Sequence, residues 1–212
     1  MRALTLSDQV VPFIYSPLVK QHFQDVDLIL ACGDLYYYYL EYVFNALNVP
    51  LFFIRGNHDS VIEYGSAEQR TDPHGGIDLH CRHYCHQGLL LAGIEGSIRY
   101  RNGPFQYTQS QMWKNVLGLI PGLMINRLRY GRYLDVFISH APPFGIHDCP
   151  DLPHQGVKAF YWLITTFKPA YFIHGHIHLY QPNSSGETRV GNTRIINTYG
   201  FRRIELELDL KR

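Results

Sequence analysis

Short, wholly apolar runs recur along this chain, and each is followed at once by a turn carrying Asp, Asn or His. The fullest case is Leu51-Phe52-Phe53-Ile54, followed by Arg55-Gly56-Asn57-His58-Asp59. Ala3–Leu6 leads into Ser7-Asp8, and Leu28-Ile29-Leu30-Ala31 into Cys32-Gly33-Asp34. Tyr133–Ile138 leads into Ser139-His140, and Ala170–Ile173 into His174-Gly175-His176-Ile177-His178. Apolar runs this short, bounded by turn residues, read as strands buried on both faces. Helical or irregular stretches separate them, so the pattern is that of parallel β-α-β units. In open α/β sheets, ligands gather beyond the carboxyl ends of the strands. A turn has no need of His and Asp directly after a core strand, whereas a metal site does.

Leu35–Leu47 reads as a helix with Tyr36, Tyr39, Leu40, Val43, Ala46 and Leu47 along its core face. Val61–Gly88 has no clean period and reads as a long surface insertion. Leu89–Ile94 restores a strand. Gln111–Leu128 reads as a helix broken in two by Gly118, Pro121 and Gly122. Val157–Phe167 is a further helix, stopped at Lys168-Pro169. The tail offers two strands, Thr193–Thr198 and Arg202–Leu208, expected to be antiparallel. With no internal repeat and no linker, residues 1–212 read as one domain. The loops Arg99–Gln109 and Pro142–Pro153 are expected to shape the pocket.

Composition narrows the class further. Net charge is +1, so no bulk field draws the chain to nucleic acid or to an anionic membrane. No apolar run approaches the roughly 18 residues of a membrane span. No signal peptide is read before the first strand, and a chain of this size needs no disulfide staples for its four cysteines. A cytoplasmic location is the expectation. The chain holds 12 His and 16 Tyr; imidazole is a common metal ligand, and tyrosines serve mostly as amphipathic core-edge residues.

Taken in order, Asp8, Gly33-Asp34, Gly56-Asn57-His58-Asp59, His140 and Gly175-His176-Ile177-His178 resemble the signature of the calcineurin-like metallophosphoesterases. The resemblance covers Asp8 to His178. It implies an α/β fold, a four-layer α/β/β/α sandwich with a largely parallel or mixed core. It implies a metal-dependent phosphoesterase with two divalent ions, Mn²⁺, Fe or Zn²⁺, a donor set of carboxylate, amide and imidazole suiting such metals. Paired metals clamp an in-line phosphoryl displacement and make hydroxide available near neutral pH. Carried over by position, Asp34 bridges, with Asn57, His140 and His176 completing one site. Asp8, Asp34 and His178 form the other. His58 corresponds to the proton-donating histidine, with Asp59 orienting its ring. His174 matches no ligand position and reads as a supporting or structural residue.

Two departures bear on function. The family's first block is Asp-x-His, and here it reads Asp8-Gln9-Val10. Valine cannot coordinate, so that site is expected to be the weaker one. The arginine that follows Gly-Asp in the protein Ser/Thr phosphatases is also missing, since Leu35 and four tyrosines follow Asp34. That points to a small phosphodiester or nucleotide-like substrate over a phosphomonoester, with Arg55, Arg70 and Arg99 as candidate phosphate contacts. The alternative is a scaffold or binding module that keeps the fold with weakened catalysis, and Val10 favours it. A third option is a hydrolase of diphosphate bonds. The cluster His80-Cys81-Arg82-His83-Tyr84-Cys85-His86 lacks a second separated pair and reads as a polar insertion, not a zinc knuckle.

Overall fold

The computed structural model describes residues 1–65, 69–179 and 186–207. Along the chain come β1 (Arg2–Ser7), α1 (Leu18–His22), β2 (Leu28–Cys32), α2 (Tyr37–Leu47) and β3 (Leu51–Ile54). Then follow β4 (Gly76–Asp78), β5 (Arg82–His86), β6 (Leu89–Ile94), α3 (Gln109–Tyr130) and β7 (Val136–Ser139). The last elements are α4 (Lys158–Phe167), β8 (Tyr171–His174), β9 (Glu187–Val190), β10 (Thr193–Asn197) and β11 (Gly200–Glu205).

The strands form two main sheets, in the orders β11-β1-β2-β3-β4 and β9-β10-β8-β7-β6-β5. Neighbours from β1 to β4 are parallel, and so are β6, β7, β8 and β10; the antiparallel pairs lie toward the sheet edges. Side chains alternate along each strand, so a strand apolar at every position serves two cores. Leu28, Leu30, Phe52 and Ile54 meet Leu89, Leu91, Val136, Ile138 and Ile173 between the sheets. Ile29, Ala31, Leu51 and Phe53 face outward against Tyr39, Leu40 and Val43 of α2. Ala92, Phe137 and Phe172 face α3 and α4 through Met112, Val116, Phe160 and Leu163. The layers are therefore α/β/β/α, as the resemblance implies. No helix among the described residues is long and apolar enough to cross a membrane.

Several local expectations change. The segment 61–88 supplies an edge strand to each sheet, β4 beside β3 and β5 beside β6, so it is no mere surface insertion. Helix α3 runs unbroken through Pro121. Pro121 and Leu117, whose carbonyl it deprives of a partner, are both exposed, where water can satisfy that carbonyl. The helix begins earlier than its apolar pattern suggests because Thr108 and Gln111 form a reciprocal capping box. Helix α2 begins at Tyr37, which turns Tyr37 and Tyr39 inward and leaves Tyr36 exposed, contrary to its expected core-facing place. The two tail strands do not pair with each other. β10 runs parallel to β8 in one sheet, while β11 runs antiparallel to β1 in the other. Leu208 of the expected last strand lies outside the described residues.

Candidate metal centre and active site

The carboxyl ends of β1, β2, β3, β7 and β8 open on one crevice, and the turns there carry the ligand-type residues. Asp8, Asp34 and His176 all adopt positive φ, at 64°, 57° and 67°. Such backbone costs a non-glycine residue on the order of 1 kcal/mol and clusters at functional sites. The turns are tied to one another by the same carboxylates. Both Asp8 oxygens accept the His176 N–H at 3.0 Å, joining β1 to β8. Asp34 Oδ1 accepts the His58 N–H at 2.7 Å, joining β2 to β3. Gly56 is required by close approach: a Cβ there would stand 2.0 Å from Asp34 Oδ1.

At the centre lie Asp34, His140 and His176, whose ligand atoms all fall within 4.8 Å of one another. His140 Nδ1 is 2.8 Å from the carbonyl of Cys32, and His176 Nε2 is 2.8 Å from that of Pro153. A carbonyl can only accept, so each ring donates a proton there and turns its other nitrogen to the cluster. His140 Nε2 then faces His176 Nδ1 at 3.1 Å, Asn57 Oδ1 at 3.1 Å and Asp34 Oδ2 at 3.3 Å. The Asn57 Nδ2 donates to Tyr100 Oη at 3.3 Å, with its Oδ1 toward the cluster. Four such ligand atoms meet at one point only with a proton or a metal cation among them. This donor set therefore fits a divalent metal.

Electrostatics agree. Burial pushes the Asp34 carboxyl up, but the charge and hydrogen bond of His140 outweigh that and hold it at about 2. Burial alone would lower His140, yet Asp34 raises it to about 9. Burial, and His140 beside it, push His176 down to about 3. A buried cluster that retains one proton at its middle is a cluster that wants positive charge.

The remaining site residues divide. His178 Nε2 lies 3.9 Å from Asp8 Oδ1, at the rim of the same crevice. Val10 lines the cavity where the imidazole of the family's first block would be. His58 is exposed above the cluster. Asp59 does not reach the His58 ring: its carboxylate accepts the N–H groups of Gly56, Asp34 and Leu35 at 2.7, 3.1 and 2.8 Å. It fastens the second and third turns together. The partner of the ring is Arg101, with Nη2 at 3.3 Å from His58 Nδ1.

Of the arginines offered for phosphate, none is poised there. Arg55 is bound to Asp72, to Asp78 at 2.9 Å and to Glu95 at 3.4 Å. Arg70 pairs with Glu41 at 3.0 Å. Arg99 holds Gln106 O and Gln111 Oε1. Arg101 was missed because only its loop, not the residue, carried a signal. The Gln106 side chain fixes that loop by accepting the N–H groups of Tyr100 and Arg101. His174 is a supporting residue as expected. Its Nδ1 donates to Gly175 O at 2.9 Å and its Nε2 meets His147 Nδ1 at 2.9 Å. His80 to His86 lies mostly on edge strand β5 and joins no metal-type cluster among the described residues.

The crevice holds a cavity of about 330 Å³, whose lining includes Asp34, His58, His176, Val10, Tyr36 and Glu63. No curated protein matches the chain. Among solved structures, one crystal structure aligns at a TM-score of 0.65 and 16% identity, over 97% of this chain and 99% of that one. TT1561 of Thermus thermophilus aligns at 0.59 and 16% identity, over 94% and 89%. GAP50, the anchor in the inner membrane complex of Plasmodium, aligns at 0.54 and 14% identity, over 93% and 70%. At such identities these likenesses speak to the fold alone. The family model for calcineurin-like phosphoesterases, by contrast, matches residues 9–180, most of the chain and all of the candidate ligands but Asp8. The chain belongs to the calcineurin-like phosphoesterase family.

Proposed function

We propose that this protein is a metal-dependent phosphodiesterase acting on a small substrate. One observation carries the reading: the lone pairs of Asp34, Asn57, His140 and His176 converge beside an exposed histidine. These four residues would hold the tighter metal. Asp8, Asp34 and His178 would hold a second, more weakly because Val10 stands in for an imidazole. Mn²⁺, Fe or Zn²⁺ suits this set of donors. When bound, such ions act as Lewis acids toward the phosphoryl oxygens and supply a nucleophile at neutral pH.

The chain's own residues do the rest. Arg101 can only donate, so in this contact His58 Nδ1 accepts and Nε2 carries the N–H. From Nε2 the ring would protonate a leaving oxygen when charged, or stabilise it by hydrogen bonding. Arg101 lies beside His58, where its guanidinium would meet a phosphoryl oxygen, a role the missing arginine after Asp34 leaves open. Asp59 keeps the Gly33-Asp34 and Gly56-Asn57-His58 turns in fixed relation.

The test is hydrolysis of a chromogenic phosphodiester with added Mn²⁺ by wild type and His58→Ala. A general acid contributes about 10²–10⁴-fold, and a loss of that order is expected. Metal analysis should find one firmly held equivalent per chain and a second that dialysis removes. A metal-independent rate, or one indifferent to His58, would favour the second reading, a scaffold that keeps the fold. Val10 is the observation on that side, and GAP50, which shares the fold, is named as an anchor.

A further inference from the structure

We propose that Tyr36 is a stacking platform, making the substrate of this site a mononucleoside phosphoester. The inference rests on the phosphoesterase reading and adds a substrate class to it. Asp34, His176 and His58 define where a phosphoryl group would react, and Tyr36 lines the same cavity.

Tyr36 is 58% exposed, a large aromatic ring left open at the mouth of a polar crevice. Its ring is stacked with that of Tyr38, centroids 5.3 Å apart and planes 16° from parallel. Tyr38 is braced in turn by Tyr15 in an edge contact at 5.7 Å. The ring is thus backed on one side and available on the other, as a stacking surface must be.

Glu63 decides what can bind there. Helix N-termini attract phosphate through their free N–H groups, but here Glu63 Oε2 and Oε1 take the N–H groups of Tyr37 and Tyr38 at 2.7 and 3.1 Å. The start of α2 is closed to anions, and the Glu63 carboxylate lines the same cavity as Tyr36. A second phosphate is repelled beside it, while a flat, uncharged ring is not. Substrates with one phosphoryl group and one base fit; nucleoside diphosphates extended toward Glu63 do not. A cavity of about 330 Å³ suits a mononucleotide.

The experiment compares two pairs of ligands on the Mn²⁺-loaded protein. Thymidine 5′-(4-nitrophenyl) phosphate and methyl 4-nitrophenyl phosphate share a leaving group and differ only in the nucleoside. Thymidine 5′-phosphate and methyl phosphate make the same comparison for binding, by calorimetric titration. Wild type should favour the thymidine compound about 10-fold in kcat/KM and in Kd, as base–aromatic stacking provides. Tyr36→Ala should abolish that preference while leaving the methyl compounds unchanged, and Tyr36→Phe should retain it. No preference in wild type, or equal losses for both members of a pair in Tyr36→Ala, would overturn the platform. If neither ester is hydrolysed but thymidine 5′-phosphate is still preferred through Tyr36, the phosphoesterase reading fails and the platform stands.

Discussion

Two backbone carbonyls, those of Cys32 and Pro153, choose which nitrogen each central histidine turns to the cluster. Neither contact is written in the motif, because the carbonyls belong to residues far away in sequence. Tyr100 braces the Asn57 amide from outside the cluster. Removing such an outer partner typically costs 10–100-fold in metal affinity. Tyr100→Phe should therefore weaken the firmly held Mn²⁺ about 10-fold, by titration calorimetry, with secondary structure unchanged. At this scale the sequence made legible which ligand-type residues gather, Asp34, His140 and His176 among them, since their types and order follow the strand ends. It misled on Asp59, whose place after His58 suggested a partner for the ring. The turn instead folds that carboxylate back onto three N–H groups.

Among elements, the turns after the strands bear the tightest constraints. A Cβ on Gly175 would stand 1.8 Å from Ser7 Oγ and 2.6 Å from Asp8 Oδ2. Gly175→Ala should destabilise the metal-free protein by about 1–3 kcal/mol in urea unfolding, as overpacking does, and should weaken metal binding by parting β1 from β8. Arg55 supports the turn after β3 from behind, its side chain only 12% exposed and bonded to Asp78 and Glu95. Arg55→Ala leaves those carboxylates without their cation, and breaking such a buried pair costs about 3 kcal/mol; denaturant unfolding measures it. The strands were legible because a continuous apolar run has few alternatives once flanked by turns. The edge strands β4 and β5 were not, β4 being only three residues long and β5 largely exposed and polar. Pairing with β3 and β6, not their own sequence, makes them strands. Helix α3 likewise survives its Gly and Pro residues through tertiary support, as Gly122 lies against the ring of His83 on β5.

On the scale of the whole molecule, the site exists because two sheets end at the same level. Asp8, Asp34 and Asn57 come from one sheet, His140 and His176 from the other, and only the apolar layer between them sets the distance. A metal that bridges the sheets should then stabilise the entire fold. At 100 times its Kd, a ligand adds about 2.7 kcal/mol, and for a chain of this size each kcal/mol raises Tm by about 2–4 °C. Scanning calorimetry with Mn²⁺ should show a rise of about 5–10 °C, reversed by chelator and absent in His140→Ala.

The sequence by itself determined the α/β layering and the cast of candidate metal ligands, because strand burial and donor chemistry are both properties of residue type in local order. Only the tertiary structure decided which nitrogens of His140 and His176 face the cluster, the fastening role of Asp59, the arrival of Arg101 beside His58 and the exposure of Tyr36. Each of these depends on which distant backbone or side chain occupies the adjoining space. That is fixed by how the sheets and loops pack, and no local pattern encodes it.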